Sequence, residues 1–189
     1  PYAFPAFLAT LVWKGMLNTD FGFINQVFLG GAHIPWLDNG LLAKVSILGV
    51  NLWLGFPYMF LVCLGALQSL PGDIEEAAKI DGASGLRTVW SIKLPLVLQS
   101  TVPLLIASFA FNFNNFSLIY MLTGGGPNYP GLSVPVGESD ILISMVYKIA
   151  IDSGTPNYGL ASAMSIVIFI VVGVIAWLGF RQTKTLEEL

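Results

Sequence analysis

Two apolar stretches of this sequence carry asparagine, tyrosine, serine and phenylalanine at positions that share one helix face. Residues spaced i, i+3, i+4 and i+7 lie one above another on the same side of an α-helix. The residues with this spacing are Asn51, Leu54, Gly55 and Tyr58 in one stretch, and Ser108, Phe111, Asn112 and Asn115 in the other. Asn114 is expected on a different face. Each stretch therefore predicts a stripe of amide, aromatic and small residues, named here a polar stripe.

The polar stripes have the chemistry that a neutral sugar requires. Amides and hydroxyls both donate and accept hydrogen bonds, an aromatic ring packs on the apolar face of a sugar, and Gly55 leaves room near the backbone. Residues 45–70 and 94–137 contain no charged side chain, which disfavours ions, amino acids and phosphates as ligands. The alternative is that these polar groups hold membrane helices together, and the residues alone leave both interpretations open.

The stretches that carry the polar stripes are long enough to cross a membrane. The sequence is 55% hydrophobic and only 10% charged, whereas about a quarter of the residues in soluble domains are charged. A helix needs about 20 apolar residues to span the hydrocarbon layer. We predict an all-α, polytopic transmembrane helix bundle with four spans: one that ends near residue 17 and is expected to begin before residue 1, then roughly 44–67, 95–121 and 159–180.

Basic residues near the span ends predict the orientation, because they are retained on the cytoplasmic side. The residues that decide it are Lys79, Arg87 and Lys93 in the connection 71–94, and Arg181 and Lys184 in the tail. The outer connections, 18–43 and 123–158, contribute only Lys148 away from the span ends. We expect His33 and the acidic residues of these outer connections to be solvated, since their spacing is not that of metal ligands.

The connection 71–94 carries the signals of two short helices. Asp73 followed by Glu76 is the pattern of a capping box, and Gly82 is placed to end the first helix in a left-handed conformation. A second helix is predicted over 84–94, where the following proline restricts the backbone before the next span begins. The loop is therefore predicted to be structured.

This connection also resembles the coupling loop of binding-protein-dependent ABC importers. The family motif E-A-A-x3-G-x9-I-x-L-P is matched at every fixed position by Glu76, Ala77, Ala78, Gly82, Ile92, Leu94 and Pro95. The resemblance implies that the loop docks on an ATP-hydrolysing subunit, with Glu76, Ala77, Ala78 and Gly82 forming the docking surface and its turn. Taken alone, Glu76 would be interpreted as a helix cap, and the two roles are compatible. The sequence contains no G-x4-G-K-[ST] motif, so ATP is expected to bind another polypeptide.

The polar stripes and the segment 122–127 extend the resemblance to the larger membrane subunits of maltose and maltodextrin importers. That resemblance implies the ABC importer permease (MetI-like) fold, with this chain as its C-terminal part. Tyr2 matches an additional sugar-binding tyrosine, whereas Ala6 replaces a small polar residue of that family. The substrate-binding residues that it implies are Tyr2, Asn51, Leu54, Gly55, Tyr58, Ser108, Phe111, Asn112 and Asn115.

The resemblance further implies a location and a set of partners. It predicts a bacterial inner-membrane permease that moves maltose or maltodextrin by alternating access. The implied partners are an ATP-binding-cassette ATPase dimer, a second permease subunit, a periplasmic or lipid-anchored sugar-binding protein and membrane lipid. Another neutral sugar or a polyol as cargo, and a membrane scaffold without cargo, are the alternatives. The residues predict no enzyme site, cofactor, metal site or nucleic-acid contact.

Overall fold

A computed structural model describes residues 1, 3–132, 134 and 136–187, with side chains as far as Arg181. Over these residues the regular structure is helical and contains no β-strand. The helices are α1 (Ala6–Met16), α2 (Gly40–Gln68), α3 (Gly72–Ile80), α4 (Gly85–Thr88), α5 (Leu94–Phe113), α6 (Phe116–Leu122), α7 (Leu142–Tyr147) and α8 (Tyr158–Glu187). Short π-helical turns occupy Ile24–Phe28, Val89–Lys93 and Lys148–Asp152. The all-α prediction is confirmed.

Three helical segments are long and apolar enough to cross a membrane, namely Gly40–Gln68, Gly85–Phe113 and Tyr158–Arg181. Helix α1 is apolar but shorter. The long segments expose apolar side chains such as Leu52 and Phe169, which are 70% and 76% exposed. Apolar surface on this scale fits contact with lipid or further helices better than contact with water. The spans predicted near 44–67 and 159–180 are confirmed.

The third predicted span, 95–121, is interrupted. Helix α5 ends at Phe113, and α6 begins at Phe116 after a break at Asn114 and Asn115. Asn115 is the N-cap of α6, where its Oδ1 accepts a hydrogen bond from the backbone N–H of Leu118 at 3.4 Å. Asparagine side chains compete with the backbone for hydrogen bonds and therefore favour helix starts over helix interiors. The prediction of one continuous helix is wrong, because it counted apolar residues and overlooked this cap.

Helix α3 starts two residues earlier than a capping box at Asp73 would require. Its first residue is Gly72, after Pro71 with φ −58° and ψ 137°, and no side chain caps it. Proline presets φ and needs no hydrogen bond for a backbone N–H at a helix start, so the capping-box prediction is wrong. Asp73 lies inside the first turn instead. Gly82 has φ +73°, which confirms the predicted left-handed end.

The second helix of the connection 71–94 starts as predicted but does not stop before the span. Ser84 caps α4, since its side chain accepts a hydrogen bond from the N–H of Arg87. The backbone then continues through the π-helical turn Val89–Lys93 into α5, so that Gly85–Phe113 forms one helical segment. The predicted end at residue 94 is therefore wrong. The second half of the connection 71–94 thus continues into the span without a break in the helix.

The chain divides into two compact units, Pro1–Phe56 with Phe111–Val172, and Pro57–Ala110 with Gly173–Leu189. In the first unit, the ends of α1, α2 and α6 pack around one hydrophobic core. Its buried members are Leu17, Ile47, Val50, Leu118, Ile119 and Leu122. In the second unit, α8 approaches α5 closely at Gly179, where a Cβ would come within 2.9 Å of Ile106 Cδ1.

The outer connection 123–158 contains a buried ion pair that the sequence analysis missed. Lys148 Nζ lies 2.7 Å from Asp140 Oδ2, and the two side chains are 5% and 4% exposed. The Asp140 carboxylate also accepts hydrogen bonds from Ser144 Oγ and from the N–H of Gly137. The prediction of solvated outer acids is wrong for Asp140, because these bonds compensate its removal from water. His33 is exposed, as expected.

Gly125 must remain a glycine beside this ion pair. Its φ is +82°, and a Cβ on it would come within 1.9 Å of Asp140 Oδ1. The glycine-rich sequence at 124–126 thus lets the backbone pass directly over the carboxylate. Gly125 and the ion pair therefore pack directly against each other in this connection.

Removing Asp140 should destabilise the full-length protein. Asp140→Ala leaves the Lys148 ammonium buried without its counter-charge, a change that typically costs about 3 to 5 kcal/mol. Asp38→Ala removes an exposed acid of the other outer connection and should cost about 0.5 kcal/mol or less. Thermal unfolding of the purified protein in detergent compares the two variants. Similar shifts in Tm would contradict a structural role for the buried pair.

The membrane orientation remains a prediction, in which 71–94 and the tail after Phe180 face the cytoplasm. It can be tested in a Cys63→Ser background by placing single cysteines at Ser84 and Ser133. A membrane-impermeant thiol reagent added to spheroplasts should label Ser133→Cys and leave Ser84→Cys unlabelled until the membrane is opened. Labelling of Ser84→Cys from outside would invert the topology.

Candidate functional site

Three asparagines from the two polar stripes meet in the first unit. Asn51 Nδ2 donates a hydrogen bond of 2.8 Å to Asn112 Oδ1, and Asn115 Nδ2 donates one of 3.4 Å to Asn51 Oδ1. Asn51 lies in α2, Asn112 in the last turn of α5, and Asn115 at the cap of α6. These three residues are named the Asn cluster. The stripes predicted from spacing are thus in contact at their amides.

The break between α5 and α6 positions this cluster. Asn115 uses its Oδ1 to cap α6 and its Nδ2 to bond Asn51, so one side chain serves both the backbone and the cluster. Each amide has two donor hydrogens and two acceptor lone pairs. Asn51 makes two hydrogen bonds to its neighbours, so its amide still has one donor hydrogen and one acceptor lone pair for a ligand. Asn112 is exposed, and Asn51 and Asn115 are partly buried.

The surroundings of the cluster in the first unit are apolar and open. Phe111 is 72% exposed. A Cβ added at Gly55 would meet no described atom within 4 Å, so packing among the described residues does not require a glycine there. Leu54 packs against the hydrophobic core of the same unit. An exposed ring and open space beside uncharged amides fit the binding of a sugar ring.

The remaining predicted site residues are not part of this cluster. Tyr58 and Ser108 belong to the second unit, where Ser108 Oγ lies 3.9 Å from Met59 Sδ, within hydrogen-bonding range for sulfur. Tyr2 lies outside the described residues. Asn114 lies in the break between α5 and α6, so its orientation follows from that break and not from helical spacing. The roles of Tyr2, Tyr58 and Ser108 stay predictions.

A cavity of about 490 Å³ lies in the first unit, among α1, α6 and the outer connection 123–158. Its lining combines an aromatic ring with charged and amide groups. The lining residues are Leu11, Lys14, Tyr120, Met121, Gly124, Asn128, Lys148 and Asp152. The ring of Tyr120 is fixed by Phe116 and Tyr147, whose ring centroids lie 5.0 and 5.1 Å away.

The connection 71–94 presents a second candidate site, in the second unit. Glu76 and Ala77 are exposed, as a docking surface requires, whereas Ala78 is buried, with 4% exposure. Ala78 therefore fits a packing role better than direct contact with a partner. Sequence reasoning overlooked Ile80 and Leu86, which are 87% and 75% exposed. Large apolar side chains exposed on a short loop are typical of contact surfaces.

Comparison with known proteins decides the family. Residues 1–184 match the family described as the inner membrane component of binding-protein-dependent transport systems. The chain belongs to this family. It therefore belongs to a multi-pass inner-membrane protein, in agreement with its three membrane-length helical segments.

Relatives within the family are close to half identical to this chain over the region that it covers. It is 48% identical over 191 residues to the maltose/maltodextrin transport system permease protein MalF of Vibrio parahaemolyticus, and 44% identical over 187 residues to that of Yersinia pestis. These matches cover 100% and 97% of this chain but only 36% and 35% of the relatives. The chain thus spans about a third of the length of these permeases.

A solved structure has the same fold. It is a bacterial ABC transporter involved in the import of the acidic polysaccharide alginate, and it superposes with a TM-score of 0.82 at 19% sequence identity. The match covers 98% of this chain and 62% of that chain. The predicted ABC importer permease fold is confirmed.

Proposed function

We propose that this chain forms part of a sugar-conducting permease subunit, which moves maltose or maltodextrin across the inner membrane by alternating access. The observation that carries the proposal is the Asn cluster, three contacting amides within apolar stretches that contain no charge. The names of the related permeases support maltose and maltodextrin as the cargo.

The Asn cluster suits a site that must be stable both empty and filled. When no sugar is present, Asn51 and Asn112 satisfy each other by their hydrogen bond. A sugar hydroxyl, which both donates and accepts, can replace that bond without leaving either amide unpaired. The proposed site comprises this cluster with Leu54, Gly55 and Phe111, and extends by prediction to Tyr2, Tyr58 and Ser108.

The coupling part of the proposal assigns ATP hydrolysis to separate subunits. Glu76 and Ala77 of α3 are exposed beside Ile80, and Gly82 makes the turn that ends the helix. This surface offers one acidic and several apolar groups to a cleft on an ATPase dimer. The continuous helix Gly85–Phe113 leads from the loop into the membrane. Movement of the loop can therefore be passed along this helix.

The proposed assembly also contains a second permease subunit and a periplasmic or lipid-anchored sugar-binding protein. It can be tested by reconstituting the full-length protein with these partners in proteoliposomes. ATP-dependent uptake of labelled maltose is expected, with competition by maltodextrins and none by amino acids or phosphate. Uptake competed equally by an unrelated polyol would favour the broader neutral-cargo alternative. ATP hydrolysis that no sugar stimulates, with no uptake, would contradict the proposal and favour a scaffold.

A further inference from the structure

The cavity lined by Tyr120 and Lys148 lies at the end of α6 that follows the Asn cluster in the sequence. Tyr120 follows Asn115 by five positions along α6, which corresponds to an axial rise of about 7.5 Å. In the predicted orientation, α6 leads from the cluster toward the outer connection 123–158. This rise is of the order of one or two sugar units, so the cluster and the cavity are close enough along α6 for one oligosaccharide to reach both.

The chemistry of the cavity fits hydroxyl groups. Lys148 Nζ bonds Asp140, and because an ammonium carries three donor hydrogens it keeps donor capacity for a ligand. Asn128 adds an amide, and Tyr120 adds a ring held by its two aromatic neighbours. Lys14 and Asp152 contribute charges of both signs. A lining this polar disfavours a lipid tail, and its mixed charge disfavours a strongly anionic ligand.

We propose that this cavity is a second sugar subsite, which binds the outer glucose units of a maltodextrin whose inner units contact the Asn cluster. The inference rests on the proposed transport function and adds chain-length selectivity to it. Maltose, with only two glucose units, would bind at the Asn cluster without entering the cavity, which would then contain water. Longer chains would gain affinity from contacts that maltose does not make.

Chain length provides the test. The variants are Lys14→Met and Asn128→Ala, which alter the lining but leave the Asn cluster and the buried ion pair intact. Lys44→Met is the matched control, since Lys44 is also exposed near a membrane boundary but does not line the cavity. Equilibrium binding of maltose and of a five-unit maltodextrin is measured on the assembled full-length transporter.

We expect Lys14→Met and Asn128→Ala to weaken binding of the five-unit sugar about tenfold, as the loss of one well-formed hydrogen bond does. Maltose binding should change less than about twofold. Unchanged binding of both sugars, or equal weakening of both, would overturn the subsite. If the wild-type transporter binds neither sugar, the proposed function itself fails, which is a separate result.

A different observation, in the second unit, concerns the coupling loop. The carboxylate of Glu75 in α3 bonds two lysines, with Lys93 Nζ at 2.6 Å and Lys79 Nζ at 3.4 Å. The hydrogen bonds from Lys93 and then from Lys79 hold the pKa of the Glu75 carboxyl below its ordinary value. Lys79 lies four residues away in the same helix. Lys93 lies eighteen residues away, immediately before α5.

The geometry points to the Glu75–Lys93 pair as the tie that makes the coupling helix α3 move together with α5. The pair joins two helices that the turn at Gly82 otherwise separates. Partly exposed ion pairs add little to overall stability. A positioning role accounts better for a short bond between elements than a stabilising role does. This inference rests on the coupling part of the proposed function.

Two lysines on one carboxylate provide an internal control. Lys93→Met breaks the bond between helices, whereas Lys79→Met breaks only the bond within α3. Full-length transporters are compared by the amount of sugar moved per ATP hydrolysed. The charges are then exchanged by combining Glu75→Lys with Lys93→Glu, in a Lys79→Met background that removes like charges four residues apart.

We expect Lys93→Met to lower the sugar-to-ATP ratio about fivefold, Lys79→Met to leave it unchanged, and the charge exchange to restore it to within about twofold. Rescue by exchange would show that the pair, and not either side chain alone, sets the ratio, and unchanged assembly of Lys93→Met with the ATPase would separate this role from folding of the loop. Equal ratios for Lys93→Met and Lys79→Met, or no rescue, would overturn the tie. Absence of sugar-stimulated ATP hydrolysis in the wild type would instead count against the proposed function.

Discussion

Asn112→Ala should abolish sugar uptake by a transporter that still assembles. The change removes the acceptor of the 2.8 Å bond from Asn51 and the amide that we assign to a sugar hydroxyl. A sugar hydroxyl enclosed in the site without this partner costs about 1 to 3 kcal/mol, which corresponds to roughly a ten- to hundredfold loss of affinity. Asn51→Ala and Tyr58→Ala are expected to act in the same direction. The measurement is ATP-dependent uptake of labelled maltose, normalised to assembled complex.

Asn114→Ala is the control for the cluster. Asn114 is an exposed asparagine close to both Asn112 and Asn115 in sequence, but it lies in the break between α5 and α6. The Asn114→Ala variant should leave uptake intact and affect folding at most. Equal loss of uptake in Asn112→Ala and Asn114→Ala, at equal expression, would show that the assignment of faces is wrong. Full uptake in Asn51→Ala, Tyr58→Ala and Asn112→Ala would leave the stripes as contacts between helices.

Gly82→Val should uncouple ATP hydrolysis from transport while sugar affinity stays largely intact. Gly82 has φ +73°, a conformation that a β-branched residue strongly disfavours. Forcing another backbone angle moves α3 relative to the chain that follows it, and with it the surface formed by Glu76 and Ala77. Glu76→Lys should have the same effect by reversing a charge on that surface. Co-purification of the ATPase together with uptake provides the readout.

Gly85→Val is the matched control for Gly82→Val. Gly85 lies three residues later, its φ is not positive, and a Cβ on it would meet no described atom within 4 Å. The same substitution there should leave assembly and uptake close to wild type. Normal assembly and normal uptake in both Gly82→Val and Glu76→Lys would refute the assignment of this loop to coupling.

Helical spacing predicted the members of the two polar stripes for a reason that was only partly correct. Asn51 and Asn112 lie in regular helices, so their positions followed from the period of the helix. Asn115 was correctly assigned to the same stripe as Asn112, although α5 ends before it. As the cap of α6, it lies only two residues beyond the last turn of α5. The break itself depends on a hydrogen bond from Leu118 N–H to a side chain. Hydrophobicity does not report such a bond.

The ion pairs were beyond the reach of sequence patterns. Asp140 and Lys148 are eight residues apart in a connection rich in glycine and proline, where polarity ordinarily indicates exposure. Their burial depends on the path of the backbone over Gly125 and on the hydrogen bond from Ser144. Glu75 and Lys93 are joined only because the chain turns at Gly82. The turn was predicted, but not which charges it would bring together.

An experimental structure of the assembled full-length transporter with bound maltose tests the central claim most directly. The predicted result is a sugar whose hydroxyl groups lie within about 3 Å of the amides of Asn51, Asn112 and Asn115, with the bond between Asn51 and Asn112 replaced by bonds to the sugar. A sugar bound elsewhere in the membrane region, with the bond between Asn51 and Asn112 intact, would contradict the claim that this cluster binds the transported sugar.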